Sequence, residues 1–382
     1  MKGTKYGLKT VKKKESERGV ILLIVIIIIS VLTIVVGDMI YFTHIDTAIS
    51  SNTKDELSAR YIAKSGIHVA AGTMKVGALE ELTEITTTLN KGTNYSEGYW
   101  AIIVPFFPVG EGGVTVTVID ERSKINLNAL VSRSSNRVDQ QVLTELKELF
   151  RFLEVDESKS ERFIASLINW TDAPLEGATN NQDSAGADGG FYSSLEEPYG
   201  IKDGPLDSMH EIRMIDGMDD EFFGKIKDYV TVYPGDKKIN FSTAPKAVLM
   251  AAIKGSAVPA LNIEGQETGS QSENQEEESS KLEVTDDIAE QIADEILQAR
   301  EDEPIVNQKK VRDIAKQVDT TSEISAGLVG VVHNTGRSDI FSVNAIGSLG
   351  EYNPTKRVVE AVLRKTEKDN RQVVDIISWK EL

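Results

Sequence analysis

The sequence predicts an α+β fold: one long N-terminal helix, a small antiparallel sheet built from two separated segments, and a large helical insertion between them. Three observations carry this. An uncharged apolar run over residues 20–37 passes, with no proline, into helical spacing that continues to about residue 75. Strand-like alternation occurs at 99–106 and 113–120, and returns at 340–347 and 356–365. Between these pairs, roughly 200 residues carry mostly helical periodicity.

The apolar run reads VILLIVIIIISVLTIVVG. At ~1.5 Å per residue it spans about 27 Å, enough for a thin bilayer core. Seven basic residues against two acidic ones put +5 on the first 18 residues, so the remainder carries −23 of the net −18. Basic residues ahead of a span keep that end cytoplasmic. The N-terminus is therefore expected inside and the bulk across the membrane. A cleaved secretory signal fits poorly, because its apolar region is shorter and Gly37-Asp38-Met39 is not a small-x-small site. A plain signal anchor remains open on this segment alone.

After the span, Leu57, Tyr61, Ser65, His68 and Ala71 recur at three- and four-residue spacing without a proline, so the helix is expected to continue to about Lys75. Gly110-Glu111-Gly112-Gly113 marks a hairpin, and Asn353-Pro354 a second turn. The glycine run is no phosphate loop, since no Lys-Ser/Thr follows it. Helices are expected at 138–153, 207–215, 221–230, 243–253, 286–299 and 308–317. Residues 257–282 are polar and acidic and are expected to form a disordered surface loop. Trp379 and Ile376-Ile377 suggest a short helix near the C-terminus.

Composition limits the chemistry. There is no cysteine, hence no disulfide, thiol nucleophile or zinc-thiolate site. With 60 acidic against 42 basic residues, nucleic acid is not an expected partner. His44, His68, His210 and His333 are scattered without HExxH spacing, and Gly347-Ser348-Leu349-Gly350 is no nucleophile elbow. No catalytic constellation emerges, and an enzyme is not expected. Asp172, Glu176, Asp183 and Asp188 converge on one segment with Asn180, Asn181 and Gln182. Such hard oxygen donors suit Ca²⁺, although the spacing is not that of an EF-hand. A solvated acidic loop explains the same residues.

Several motifs point further. Arg18-Gly19 abuts Val20 with no spacer, and Ala59, Ala63 and Gly66 form an A-x-x-x-A-x-x-G pattern. Asp120 begins a run ending in Asn126-Leu127-Asn128, where Asn126 can bond neighbouring backbone and Asn128 can cap a turn. Trp170-Thr171-Asp172 follows, then Gly186-Ala187-Asp188, Tyr192, Pro198-Tyr199, Pro205-Leu206, Glu211-Ile212-Arg213 and Gly217-Met218. Later comes Asn240-Phe241-Ser242-Thr243-Ala244. The leader resembles that of type IV pilins and pseudopilins. The ordered set resembles the K-type minor pseudopilins of type II secretion, with Ser242 in place of an Asn and Pro174 where an acid is frequent.

The resemblance implies a pilin-like helix and sheet with SAM-like helical units. It implies a leader 1–19 cut between Gly19 and Val20 by prepilin peptidase, and an anchoring helix 20–76. It further implies a sheet divided between 77–128 and 336–365, helical regions 129–256 and 283–335 around the acidic loop, and a tail 366–382. Ile24 stands at the fifth mature position, where most pilin-like subunits carry a Glu that pairs with a neighbour's ammonium; the K-type member lacks it. The implied role is to initiate or cap the pseudopilus tip with other minor pseudopilins. The implied setting is a single-pass protein of the bacterial inner membrane with a periplasmic bulk. The family's calcium implies Asp172, Glu176, Asp183 and Asp188 as ligands. A membrane-anchored periplasmic Ca²⁺-binding enzyme or receptor, or a type IV pilus tip subunit, are the alternatives.

Overall fold

The computed structural model describes residues 14–76, 102–133, 135–171, 186–257, 284–302, 306–319, 323–335, 338–350, 354–368 and 371–382. The acidic stretch 258–283 lies outside these residues, as do Asp172, Glu176, Asp183 and most of the leader.

Helix α1 (Lys14–Val76) runs unbroken for 63 residues. Residues 19–54 are all exposed, and this half is long and apolar enough to cross a membrane. The two hydroxyls within the apolar run are satisfied internally: Ser30 and Thr33 each donate to the carbonyl four residues back, at 2.8 Å. Such self-satisfaction is what an apolar surrounding demands of a hydroxyl.

The second half of α1 packs on a sheet through the face that carries Ala59, Ala63 and Gly66. Ala59, Ala63, Ile67, Ala70 and Met74 are buried, whereas Leu57 and Tyr61 are 48% and 63% exposed and His68 is exposed. Ser65 and Ala71 are half-buried, and Ala71 packs against the sheet core. Small residues win because the helix backbone lies close to the strands.

The chain then forms the hairpin β1 (Ile102–Val109) and β2 (Gly112–Asp120), turning at Gly110 with φ +60. An insertion follows. It contains β3 (Ile125–Asn126), α2 (Gln140–Phe152), α3 (Glu157–Thr171), the short α4 (Gly189–Ser193) and a 3-10 turn at Met209–Met214. Next come α5 (Asp220–Ile226), β4 (Val230–Thr231), α6 (Lys246–Ser256), α7 (Asp286–Asp302), α8 (Gln308–Val318) and α9 (Glu323–Val331). The expected helix at 207–215 is thus the tighter 3-10 form, and α9 and the parallel β3–β4 pair were not expected.

The chain returns to the sheet as β5 (Ile340–Leu349), β6 (Thr355–Lys368) and β7 (Arg371–Glu381). The order is β1-β2-β5-β6-β7, antiparallel throughout. Strand β7 corrects the short helix expected near the C-terminus: the segment is a fifth strand on β6. Two cores result. Val114, Val116, Val118, Val343, Ala345, Val359, Ala361 and Leu363 pack on α1, and a larger core fills the helical domain.

Candidate functional site

The helix–sheet joint is set by two glycines. A Cβ on Gly66 of α1 would stand 2.7 and 2.9 Å from the Cγ2 atoms of Val114 and Val116. A Cβ on Gly347 of β5 would stand 2.6 Å from the Ala63 backbone N. The pattern Ala59, Ala63, Gly66 is therefore the close-approach face of α1, and Gly347 answers it from the sheet. The joint also sets direction. Gly112 lies beside Ile62, and Gly66 lies beside Val114 and Val116. The Asp120 end of β2 therefore points away from the anchor, and the helical domain stands beyond it.

At that end the sheet meets the helical domain through buried polar groups. Asp120 accepts from the Arg122 amide at 2.8 Å, from Asn240 Nδ2 at 2.9 Å and from Thr243 Oγ1 at 2.7 Å. Burial still raises its carboxyl, against those bonds and one from Ser338. Burial would also raise neighbouring Glu121, but Lys124, Ser342 and Thr231 outweigh it and hold it below its ordinary value. Arg122, with 7% of its side chain exposed, reaches Asp236 at 2.8 Å and Asp339. Despite burial, these acids raise its affinity for its proton.

Asn126 bonds neighbouring backbone as expected and caps the next turn, whereas Asn128, expected to cap a turn, binds distant backbone. Asn126 Oδ1 accepts from the Asn128 amide at 3.0 Å, and Asn126 Nδ2 donates to the Pro234 and Asp236 carbonyls. Asn128 Nδ2 donates to the Leu206 and Val232 carbonyls, both at 2.9 Å, and its oxygen accepts from the Leu206 amide at 2.7 Å. Arg300 caps the segment holding Asn240, donating to the Phe241 and Ala244 carbonyls at 2.8 Å. Burial lowers Arg300 to about 9.

The motif-bearing middle segment is equally structural. Trp170 packs edge-on to Tyr192 and Tyr199, and its Nε1 donates to Glu211 at 2.9 Å. Lys202 and the Asp207 amide reach the other oxygen of Glu211, at 2.9 and 2.8 Å. Tyr199 donates to the Met214 carbonyl at 2.7 Å. Gly217, with φ +90, passes 2.7 Å from the Phe163 amide at its would-be Cβ. These contacts account for the order Trp, Tyr, Tyr, Glu, Gly along the chain.

Of the four candidate metal ligands, only Asp188 is described. It is exposed and caps α4, accepting from the Phe191 amide at 3.0 Å. Among the described residues no cluster of three or more potential ligands occurs. Gly19, Val20 and Ile24 all lie within α1, exposed, Ile24 at 50%. The residues that sequence reasoning missed are Arg122, Asp236, Asp339 and Arg300. The available signal was three charged residues closing an alternating strand at 120–122, where solvent exposure would be the usual outcome.

Residues 123–235 match the family model described as Type II secretion system (T2SS), protein K. The type II secretion system protein K of Aeromonas hydrophila is 24% identical over 245 residues, covering 62% of this chain and 70% of that one. That of Pectobacterium carotovorum is 27% identical over 154 residues, covering 38% and 45%. The Klebsiella pneumoniae protein is 24% identical over 212 residues, covering 53% and 60%. A chain in the crystal structure of the GspK–GspI–GspJ complex from enterotoxigenic Escherichia coli is 17% identical, with a TM-score of 0.48, covering 83% of this chain and 98% of that one. The matched segment holds Asn126, Asn128, Trp170, Tyr192, Tyr199 and Glu211, and over it the chain is similar to protein K of the type II secretion system.

Proposed function

We propose that this chain is the inner-membrane minor pseudopilin that initiates or caps the pseudopilus tip, in complex with other minor pseudopilins. The observation that carries this reading is the placement of the helical domain. It is inserted between β2 and β5, at the sheet end pointing away from the exposed apolar half of α1. A domain of that bulk would collide with the next subunit inside a helical shaft, whereas at the tip nothing lies beyond it. Prepilin peptidase would cut between Gly19 and Val20, leaving the anchor on the mature chain. Ile24 then offers no acid to a neighbour's ammonium, and an unpaired ammonium in lipid is costly. A subunit with Ile24 can therefore come first but cannot follow one of its own kind. The test is location. Labels on the soluble domain should sit at one end of sheared pseudopili, and labels repeated along the shaft would overturn the reading.

Asp172, Glu176, Asp183 and Asp188 would hold Ca²⁺ in this proposal. The donor chemistry fits a hard cation, and Asp188 is exposed with one oxygen engaged in its own helix cap. A cation bound only by the folded state stabilises it by mass action. Calcium should therefore raise the Tm relative to chelator, and Asp172→Ala should remove most of that gain. Identical melting curves would leave the segment as solvated surface.

A further inference from the structure

Helices α2, α6 and α9 meet where glycines let them touch. A Cβ on Gly255 of α6 would stand 3.1 Å from the Gln141 carbonyl oxygen of α2. One on Gly327 of α9 would stand 2.7 Å from the Ser256 carbonyl carbon, and one on Gly330 would stand 3.3 Å from Gln141 Oε1. Inside this joint lies Glu145 of α2. It is 1% exposed, its stem is pressed against Gly255, and neither carboxylate oxygen has a hydrogen-bond partner. At the junction of the sheet with this domain the buried acids Asp120 and Glu121 each have at least three partners. Glu145 is the exception.

An ionised carboxylate with no partner is far costlier to bury than a neutral acid, and the group responds by keeping its proton. The surrounding charges do not rescue the ion. Lys237 is held by Asp139 at 2.7 Å. Lys254 of α6 is held by Glu148 at 3.1 Å and by Asp286 of α7 at 2.6 Å, and Arg151 is held by the same two acids. Helix α3 turns Ser160, Phe163, Ile164 and Leu167 inward, β3 offers only Ile125 and Asn126, and Glu323 of α9 is exposed.

We propose that Glu145 is a proton-linked latch: it is a neutral acid while α2, α6 and α9 are packed, and rising pH opens that joint by ionising it. Burial drives its carboxyl well above the ordinary range, Lys237 opposes this and Asp139 adds to it. The sign follows from linkage. In the open joint Glu145 titrates near the ordinary carboxylate value; in the closed joint it titrates higher. Between the two, opening releases one proton, so the opening equilibrium rises about tenfold per pH unit. Below both values the joint is most stable. The helical domain of a protein exposed to a periplasm that follows external pH would thereby be tighter in acid.

The test is hydrogen exchange on the detergent-solubilised full chain from pH 5 to pH 8, corrected for intrinsic exchange rates. Amides of α2, α6 and α9 should show an opening constant that climbs by up to about tenfold per unit over part of that range. Glu145→Gln, and Glu145→Leu should Gln fail to fold, should flatten that climb while leaving α1 and the sheet unchanged. The same slope in wild type and variants, or no slope in wild type, would overturn the proposal.

Discussion

The sheet is gripped at two places by opposite chemistry. Its broad face meets α1 through Ala59, Ala63, Gly66 and Gly347, with no polar group contributing to the closeness. Its far end meets the helical domain through Asp120, Glu121 and Arg122, all at most 6% exposed and all bonded to distant partners. The small-residue contact of the first joint depends on shape, and its ion pairs, Glu381 with Lys64 and Arg357 with Glu56, lie at the solvent-facing margin. The second depends on every polar partner being present, since a buried polar group left alone costs more than the bond it made. A long helix that slides or bends would tolerate the first kind of joint being loosened by degrees. The second fixes the helical domain at one angle, because its bonds hold in one geometry only.

The largest effect is expected where a side chain is forced into the first joint. Gly347→Val would drive a branched carbon into the α1 backbone near Ala63, and no rotamer change relieves a contact with backbone. The cost should reach the upper end of overpacking, about 3 kcal/mol or more, read as a lowered urea midpoint, and it should not vary with pH. Arg122→Ala should come next. Breaking a buried ion pair costs about 3–5 kcal/mol, but Asp236 and Asp339 are 51% and 41% exposed and regain water, so about 2–3 kcal/mol is expected. This loss should depend on pH. Burial would raise the Asp236 carboxyl, but Arg122 outweighs it and holds it below its ordinary value. The stabilisation is therefore present above the unfolded value of 3.8 and lost as pH falls below it. The gap between wild type and Arg122→Ala should narrow in acid, while that for Gly347→Val stays constant. If both gaps track pH alike, the two joints are not chemically distinct.

The two joints also differed in how far the sequence disclosed them. The small-residue pattern at 59, 63 and 66 was visible, but the spacing of Leu57 and Tyr61 indicated only that the helix continues. Every face of a helix repeats at three and four residues, so spacing cannot choose among them, and the choice here went to size rather than apolarity. Strands β1, β2, β5 and β6 were legible from alternation. Strand β7 was not, because a register shift opposite Val362 and Leu363 sets Ile376 and Ile377 side by side and breaks its alternation. Helix α9 was hidden by Gly327 and Gly330, residues that lower helix propensity but that the close packing on α2 and α6 requires. The bond from the Asn128 amide to Asn126 was anticipated because it is local, whereas Asn128's own side-chain partners, Leu206 and Val232, are distant. The Arg122–Asp339 pair spans 217 positions, and no local spacing announces it.

The smallest effect is expected where the same charge chemistry sits at the surface. Glu381 at the end of β7 accepts from Lys64 at 2.8 Å, from Arg60 and from Trp379 Nε1 at 2.9 Å. The Trp379 ring lies 6.1 Å from that of His68, so the strand is tied to α1 by one charge cluster and one ring pair. Lys64 is the largest influence pulling the Glu381 carboxyl down, to about 2, with Trp379 and Arg60 adding to it. A depressed carboxyl contributes stability above the unfolded value of 4.5, and that contribution fades as pH falls towards 2. Water and salt screen this cluster, however, and long cationic side chains lose freedom in making it. Glu381→Gln should therefore lower the Tm slightly at low salt and negligibly at high salt. A double-mutant cycle with Lys64→Ala isolates the pair itself. Should Glu381→Gln cost as much as Arg122→Ala, and keep that cost in high salt, burial would not be what separates the junction from the surface, and the contrast between them would fail.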